Sequence, residues 1–457
     1  SAADELWRDA ASGEIGFLLL SPEQLASSDV VDRLADLEIG RIAVDEAHCV
    51  STWGHDFRPD YLAIGAAVEQ LGHPGVLALT ATAAPPVREE IVARLALRHP
   101  VVVVRGFDRP NLELTVRRHT SAEEKQRALT EEAVDRSRAA GEGVGLVYVA
   151  RRRQTEEYAA TLSDKGIRAR AYHAGMPNRD RDSVQKAFTD GEVDVVVATS
   201  AFGMGIDHPH VRFVLHDSPP GSLDDYYQEI GRAGRDGKPA AVTLHYRPED
   251  LSLRRFFSSK ALPEDDLVAC LAALREGTET LGTLRARTGL TPRRATAAVN
   301  LLALTGAATR DGTRLHAAGT PAPREVVSEA ARLVEARERI EQSRVEMMRA
   351  YAETPTCRRE LLLSYFGEEY EGPCRNCDNC LSGATEAHRD GHESTAGQEA
   401  DGFAPGAPVV HEAWGEGTVM RVEDDRITVF FEEQGYRTLD RDLVTEKGIV
   451  VVRESSD

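Results

Sequence analysis

Cysteine is scarce in this chain, with six in 457 residues. That density excludes a secreted scaffold built on disulfides. No apolar run reaches the roughly 18 residues that mark a membrane-spanning helix, so a spanning helix is excluded too. Positive charge is outnumbered, Lys plus Arg being 55 and Asp plus Glu 75, for a net charge of −20. This balance argues against a protein held to nucleic acid by charge alone. The opening Ser1-Ala-Ala-Asp-Glu-Leu6 has neither the basic nor the apolar stretch of a secretory signal. It also lacks an initiator Met, so the chain is expected to be part of a longer one.

What is present is globular: 41% hydrophobic and 28% charged residues are close to the averages of folded domains. The length suits two to four of them. Residues 383–457 hold 17 acidic and 7 basic side chains. Half of the excess acid therefore sits in the tail, leaving the rest mild enough to carry a local basic channel.

Up to about residue 247 short apolar runs alternate with helical stretches. Strands are expected at Gly16–Leu20, Ile42–Val44, Val76–Leu79, Val101–Val104, Val144–Val149, Arg168–Tyr172, Val193–Ala198, Val211–Leu215 and Ala241–His245. Continuous apolar strands separated by helices such as Glu123–Arg138 and Arg153–Lys165 indicate α/β domains with parallel sheets. Gly and Pro punctuate Arg105-Gly-Phe-Asp-Arg-Pro-Asn111, where two lobes are expected to join. Beyond Tyr246, a helix at Pro263–Glu276, a second at Thr280–Thr288 and a third opened by Thr291 and Pro292 read as helix-turn-helix. Asp311-Gly312 then reads as a hairpin turn, so the pattern is expected to be a winged helix, with an ordinary small helical domain as the alternative. Pro323–Ala352 is a long charged helix, Leu381–Ala407 a linker, and the tail from Pro408 five short strands suited to a small SH3-like β-barrel.

Chemistry-bearing residues cluster at strand ends. Ile42-Ala-Val-Asp-Glu-Ala-His48 puts two carboxylates beyond a buried strand, where open α/β sheets bind ligands. An Asp there can hold Mg²⁺, and the following Glu can orient and deprotonate an attacking water. Leu79-Thr-Ala-Thr82 offers hydroxyls that could bond across to that acidic motif. Val195–Asp207 is a strand running into a Gly-rich loop with Gly203 and Gly205. In Tyr226-Tyr-Gln-Glu-Ile-Gly-Arg-Ala-Gly-Arg-Asp-Gly237, Arg232 and Arg235 are expected three apart on one helical face, aimed at one anion. Cys357, sixteen residues, then Cys374-Arg-Asn-Cys377-Asp-Asn-Cys380 fits four thiolates around tetrahedral Zn²⁺, with an iron–sulfur cluster as the alternative. Cys49 and Cys270 lack such neighbours and read as core.

Together these motifs resemble those of superfamily 2 translocases. Ala47-His-Cys-Val-Ser-Thr-Trp-Gly-His-Asp-Phe-Arg-Pro-Asp-Tyr61, with Phe107-Asp-Arg-Pro-Asn111 and Tyr172-His-Ala-Gly-Met176, is similar to the RecQ family of ATP-dependent DNA helicases. The resemblance covers about Gly16 to Leu381. It implies an α/β fold of two RecA-like P-loop-NTPase lobes, the first incomplete at 1–105 and the second at 106–248. A winged-helix-like region at 249–322, a zinc module at 323–381, a linker at 382–407 and the barrel at 408–457 would follow.

The resemblance also implies roles. Asp45 and Glu46 would serve Mg²⁺ and the hydrolytic water, and His48 would couple hydrolysis to DNA. Trp53, His55, Phe57 and Arg58 would sense single-stranded DNA by stacking, which ignores sequence. Gln228, Arg232 and Arg235 would reach the ATP phosphates, with Gly205 and Asp207 completing the nucleotide site. Arg151, His173 and Thr199 would touch the DNA backbone. The expected ligands are ATP, Mg²⁺, Zn²⁺ and single-stranded and duplex DNA, with no membrane partner, in the cytoplasm at the nucleoid. Repair or recombination is the expected setting.

Three departures qualify this. No GxxxxGK[ST] occurs in the 457 residues, so the chain alone is expected to be inactive. The helix-turn-helix precedes the cysteines, and an acidic barrel stands at the end. A non-enzymatic DNA- and zinc-binding regulator and a superfamily 2 RNA helicase are the alternatives.

Overall fold

The computed structural model describes residues 2–52, 56–141, 143–203, 207–251, 264–319, 321–392, 403–423 and 426–453. Two compact units are present: 1–103 with 260–339, and 104–259 with 340–457.

In the first unit, strands β1 (Arg41–Val44) and β2 (Gly75–Ala78) pair in parallel. Val44, Val50, Ile64, Val68, Ile91 and Leu95 make their core. Gly16–Leu20 and Val101–Val104 are not strands. An apolar run becomes a strand only where a neighbour takes its backbone hydrogen bonds. Among the described residues β1 and β2 pair only with each other, while Phe17 and Leu19 are 92% and 96% exposed and Val101 88%.

The second unit holds six parallel strands: β3 (Leu112–Arg118), β4 (Val144–Tyr148), β5 (Ala169–Tyr172), β6 (Val195–Ala198), β7 (Val211–His216) and β8 (Ala240–Tyr246). Their order is β3-β8-β7-β4-β6-β5, a complete RecA-like lobe. Every residue of β4, β6 and β8 is buried, which is why β4 and β6 read as unbroken apolar runs.

The rest of the first unit is a winged-helix fold. Helices Glu264–Glu276, Leu281–Thr288 and Pro292–Leu304 pack around Leu271, Leu284, Val299 and Leu302. The Thr291 side chain caps the third helix by accepting from the Arg294 N–H. Strands β9 (Glu279–Thr280), β10 (Ala308–Asp311) and β11 (Arg314–Ala317) form the wing. The turn itself is Gly312-Thr313, with Asp311 paired to Arg314. Arg294 is held by Asp266 at 2.6 Å, so it serves this fold internally.

The helix Pro323–Glu353 begins in the first unit and enters the second at Ile340, and the second unit continues with the helices Arg358–Tyr365, Asp378–Leu381 and Ala384–His392. The last of these occupies the start of the expected linker. Strands β12 (Pro408–His411), β13 (Gly415–Val422), β14 (Arg426–Phe431), β15 (Gly435–Asp440) and β16 (Val450–Val452) form an antiparallel sheet of order β15-β14-β13-β12-β16. Four strands meander and the fifth returns to the first, after a helix at Arg441–Lys447 that the sequence pattern did not suggest. Val409, Val429, Phe431 and Val444 fill its core. Among the described residues β15 and β16 do not pair with each other, so the barrel is open at that seam.

Candidate active site and metal centre

The acidic motif leaves β1 through a strained corner. Glu46 has φ +48°, a left-handed conformation that costs a non-glycine residue on the order of 1 kcal/mol. The corner is held from both sides. The Ala47 N–H donates to Leu79 O at 2.8 Å and Leu79 N–H to Val44 O at 2.9 Å. His48 is 3% exposed, and its Nδ1 lies 2.9 Å from Thr80 Oγ1 and 3.3 Å from Glu46 Oε2. The hydroxyl-bearing Thr80-Ala-Thr82 segment therefore does reach across to the acidic motif.

The loop that follows is anchored at its base. Ser51 and Thr52 hydroxyls donate to the two carboxylate oxygens of buried Glu90 at 2.6 and 2.9 Å. Glu90 sits on the helix Pro85–Arg94; nothing in its sequence surroundings marked it. Trp53 and His55 lie outside the described residues. Phe57 is 7% exposed, with the Arg337 guanidinium 5.4 Å over its ring. Arg58 pairs with Asp56 at 2.7 Å. Burial pushes the Cys49 thiol up to about 12, consistent with an inert core residue.

In the second unit the arginines do not sit on a helical face. The helix Leu223–Ile230 ends first, and 231–236 is a run of turns in which Gly234 adopts φ +58°. The backbone of that loop is gripped by Phe107-Asp-Arg-Pro-Asn111. Arg109 donates to Gly231 O, Ala233 O and Gly234 O at 3.3, 2.8 and 3.0 Å. Asn111 Nδ2 donates to Gly234 O and Lys238 O, both at 2.8 Å. These two positioning residues had no assigned role in the sequence, because their partners are carbonyls rather than recognisable side chains.

So held, the loop meets the Gly-rich segment. Arg232 donates to Gly203 O. A Cβ at Gly203 would come within 2.4 Å of the Arg232 guanidinium, so a larger residue there would displace that side chain from its present place. Arg235 Nη1 lies 2.8 Å from Asp207 Oδ1. Gly205 lies outside the described residues. Gln228 is half-buried on the helix just before. Thr199 follows β6, half-buried, and the exposed Arg151 precedes the helix Arg152–Asp164 after β4. His173, buried after β5, is 3.4 Å from Glu156. Arg151, His173 and Thr199 follow the carboxyl ends of β4, β5 and β6, where parallel sheets bind ligands, whereas the arginine loop is tied to the amino end of β7 by the Gly234 N–H donating to Val211 O at 2.9 Å. Beneath them Asp217 accepts from Tyr158 at 2.6 Å and Gln154 at 3.1 Å and pairs with Lys125 at 3.4 Å.

The four clustered thiols converge. The sulfurs of Cys357, Cys374, Cys377 and Cys380 all lie within 4.8 Å of one another, with Cys374 and Cys380 at 3.9 Å. Zn–S bonds of about 2.3 Å in a tetrahedron place sulfurs about 3.8 Å apart, so the donor set fits Zn²⁺. Four thiolates leave no open position, which makes this a structural centre. Hydrogen bonds from Cys374 and Cys377 hold the Cys357 thiol below its ordinary range.

The module built on these thiols covers the edge of the second-lobe sheet. Strand β3 is that edge. Its Leu114 N–H donates to Asn376 O at 3.3 Å and its Val116 N–H to Asp378 Oδ2 at 3.0 Å. Arg359 and Asn376 donate to Leu112 O at 2.8 and 3.0 Å. Arg358 braces Asp378 from the helix that Cys357 opens.

Comparison with known proteins bears on both sites. Residues 124–237 match the family described as Helicase conserved C-terminal domain, 324–381 match RecQ zinc-binding, and 403–447 match Protein of unknown function (DUF3553). The ATP-dependent DNA helicase RecQ of Pasteurella multocida is 34% identical over 81% of this chain and 46% of its own length. That of Haemophilus influenzae is 35% identical over 81% of this chain and 47% of its own length. A probable ATP-dependent DNA helicase RecS of Bacillus subtilis is 42% identical over 52% of this chain and 47% of its own. The chain thus spans about half the length of the curated relatives it matches.

Proposed function

The chain belongs to the RecQ family, and from that premise we propose that the protein is an ATP-dependent DNA helicase that moves 3′ to 5′ along single-stranded DNA and unwinds duplexes in repair or recombination. The observation that carries this reading is the meeting, inside the second unit, of two segments about thirty residues apart. Arg232 closes on Gly203 and Arg235 on Asp207, with Arg109 and Asn111 fixing the loop from behind. Such an arrangement fixes the backbone that carries two guanidiniums, which suits the stabilisation of a phosphoryl-transfer transition state.

Each residue has a role on this reading. Asp45 would hold Mg²⁺, which supplies charge neutralisation on the phosphates when bound. Glu46, fixed in its strained corner, would take the proton of the attacking water. His48, tied to Thr80, would pass the state of the nucleotide site to the DNA-facing loop that carries Trp53, His55, Phe57 and Arg58. Gln228, Arg232 and Arg235 would contact the nucleotide, with Gly205 and Asp207 shaping its site. Arg151, His173 and Thr199 would meet the DNA backbone past the strand ends of the second lobe. The zinc centre would hold the sheet edge and take no part in chemistry. The DNA-helicase names of the relatives weigh against an RNA helicase and against a non-enzymatic product.

The test compares ATP hydrolysis by the encoded protein and by residues 1–457 alone, each with and without single-stranded DNA. The reading expects stimulation by DNA in the former. It expects little turnover in the latter, because the 457 residues offer no Lys-bearing phosphate cradle. DNA-independent hydrolysis by both, or stimulation by RNA only, would overturn it.

A further inference from the structure

The C-terminal barrel carries a net acidic tail and no assigned role. Its contacts within the second unit converge on the helix that leads into the arginine loop. Gly435, with φ +70°, brings the start of β15 onto the helix Pro323–Glu353 so closely that a Cβ there would lie 2.1 Å from Ser343 Oγ. The Tyr436 N–H donates to that same hydroxyl at 3.0 Å, and Ser343 is 5% exposed. The barrel is therefore docked by a shape-fitted backbone contact that includes a buried hydrogen bond.

From there the contacts run inward through aromatic rings. Tyr436, 8% exposed, lies 5.2 Å from the Tyr365 ring. The Tyr365 hydroxyl donates to Asp224 Oδ2. Asp224 is 5% exposed in the first turn of Leu223–Ile230. The next residue, Phe366, packs 4.9 Å from Tyr227 and 4.6 Å from Phe107. Tyr226 meets Tyr351 hydroxyl to hydroxyl at 3.2 Å. Three residues of one short helix, Asp224, Tyr226 and Tyr227, are thus seated by the C-terminal region. The helix ends at Ile230, two residues before Arg232. A buried carboxylate in this place is costly unless paired, so the seat has one preferred position.

We propose that the barrel is an intramolecular buttress: through the Ser343–Tyr436 dock and the Tyr365–Asp224 hydrogen bond it fixes the Leu223–Ile230 helix, and with it the loop of Arg232 and Arg235. Tyr365, Tyr436 and Ser343 are positioning residues. The consequence for turnover rests on the nucleotide role proposed above for the arginines. The fixing of the helix does not. The acidity of the barrel suits this role, since a surface of that sign repels DNA.

Hydrogen exchange on residues 1–457 tests it. Tyr365→Phe keeps the ring and leaves Asp224 unpaired, and Ser343→Leu blocks the dock without touching the barrel core. Each should speed exchange of amides 225–231 by on the order of tenfold, the expected cost of an unpaired buried group, while strands β4 and β7 exchange as before. Adding Asp224→Leu to Tyr365→Phe removes both partners and should restore slow exchange. Unchanged exchange at 225–231 would overturn the proposal, as would equal acceleration throughout the second-lobe sheet. In the encoded protein the same variants should lower kcat for ATP with KM little changed. Local loosening with normal kcat would leave the buttress in place and sink the arginine assignment instead.

Discussion

His48 Nδ1 sits 2.9 Å from Thr80 Oγ1, joining the acidic motif at the end of β1 to the hydroxyl segment at the end of β2. Thr80→Val keeps the shape and removes the partner. The buried imidazole then loses a hydrogen bond, and stability of the first unit should fall by about 1 kcal/mol. Urea unfolding followed by a probe in that unit reads the change. On the proposed function, stimulation of ATP turnover by DNA should fall as well, with basal turnover less affected.

Arg235 and Asp207 pair at 2.8 Å, yet Asp207 is 82% exposed and Arg235 37%. An exposed pair of this kind contributes roughly 0–1 kcal/mol to stability, so its purpose is not to hold the fold. Arg235→Ala should leave the melting temperature nearly unchanged and lower kcat on the order of 10³-fold, as removal of an arginine finger does. A large loss of stability with intact kcat would show the opposite division of labour.

The zinc centre makes a sharper demand than a free-standing module would. Metal analysis should find one Zn²⁺ per chain, bound by Cys357, Cys374, Cys377 and Cys380. Any single Cys→Ser change should release it, because metal binding here is partly folding free energy. Since Asn376 and Asp378 take the backbone donors of β3, metal loss should also speed amide exchange at Leu114 and Val116. Protection of those two amides in metal-free protein would show that the edge strand does not depend on the centre.

Acid should weaken the second lobe through one buried cluster. Burial alone would raise the Glu132 carboxyl, but hydrogen bonds from His245 and Thr243 and the charge of Arg117 outweigh it and hold it at about 2. Its contribution is present above about 4.5 and is lost as pH falls from there toward 2, by at most roughly 3 kcal/mol. Burial and neighbouring His245 lower the pKa of His119. The unfolded chain therefore takes up that proton first, and stability also declines as pH drops below about 6.5. Glu132→Gln should flatten the stability curve between pH 5 and 3. Parallel curves for the two proteins would remove Glu132 from the account.

Much of this was legible in the chain because buried parallel strands have no polar face to hide them. Val144–Tyr148 and Val195–Ala198 announce themselves for that reason. Leu112–Arg118 did not, since an edge strand alternates Leu with Glu and Thr and ends in two arginines. Gly16–Leu20 and Val101–Val104 misled in the other direction, because an apolar run says nothing about whether a neighbouring strand is there to receive it. Residue spacing singled out Arg232, Arg235 and the four thiols, and the structure brings the thiols together. It could not show that Gly231 and Gly234 carry the arginines beyond the helix, nor that Arg109 and Asn111 clamp their loop through carbonyl oxygens. The seat of Leu223–Ile230 against Tyr365 joins residues 141 apart in sequence, where pattern has no reach.

The most direct measurement is ATP turnover by the encoded protein with and without single-stranded DNA, wild type beside Glu46→Gln. The substitution keeps the shape of the site and removes the base, which is worth typically 10²–10⁴-fold. A RecQ-type helicase requires DNA-stimulated hydrolysis in the wild type, and ATP binding with turnover lowered by at least about a hundredfold in the variant. Equal turnover by the two proteins, or no response of the wild type to DNA, would contradict it.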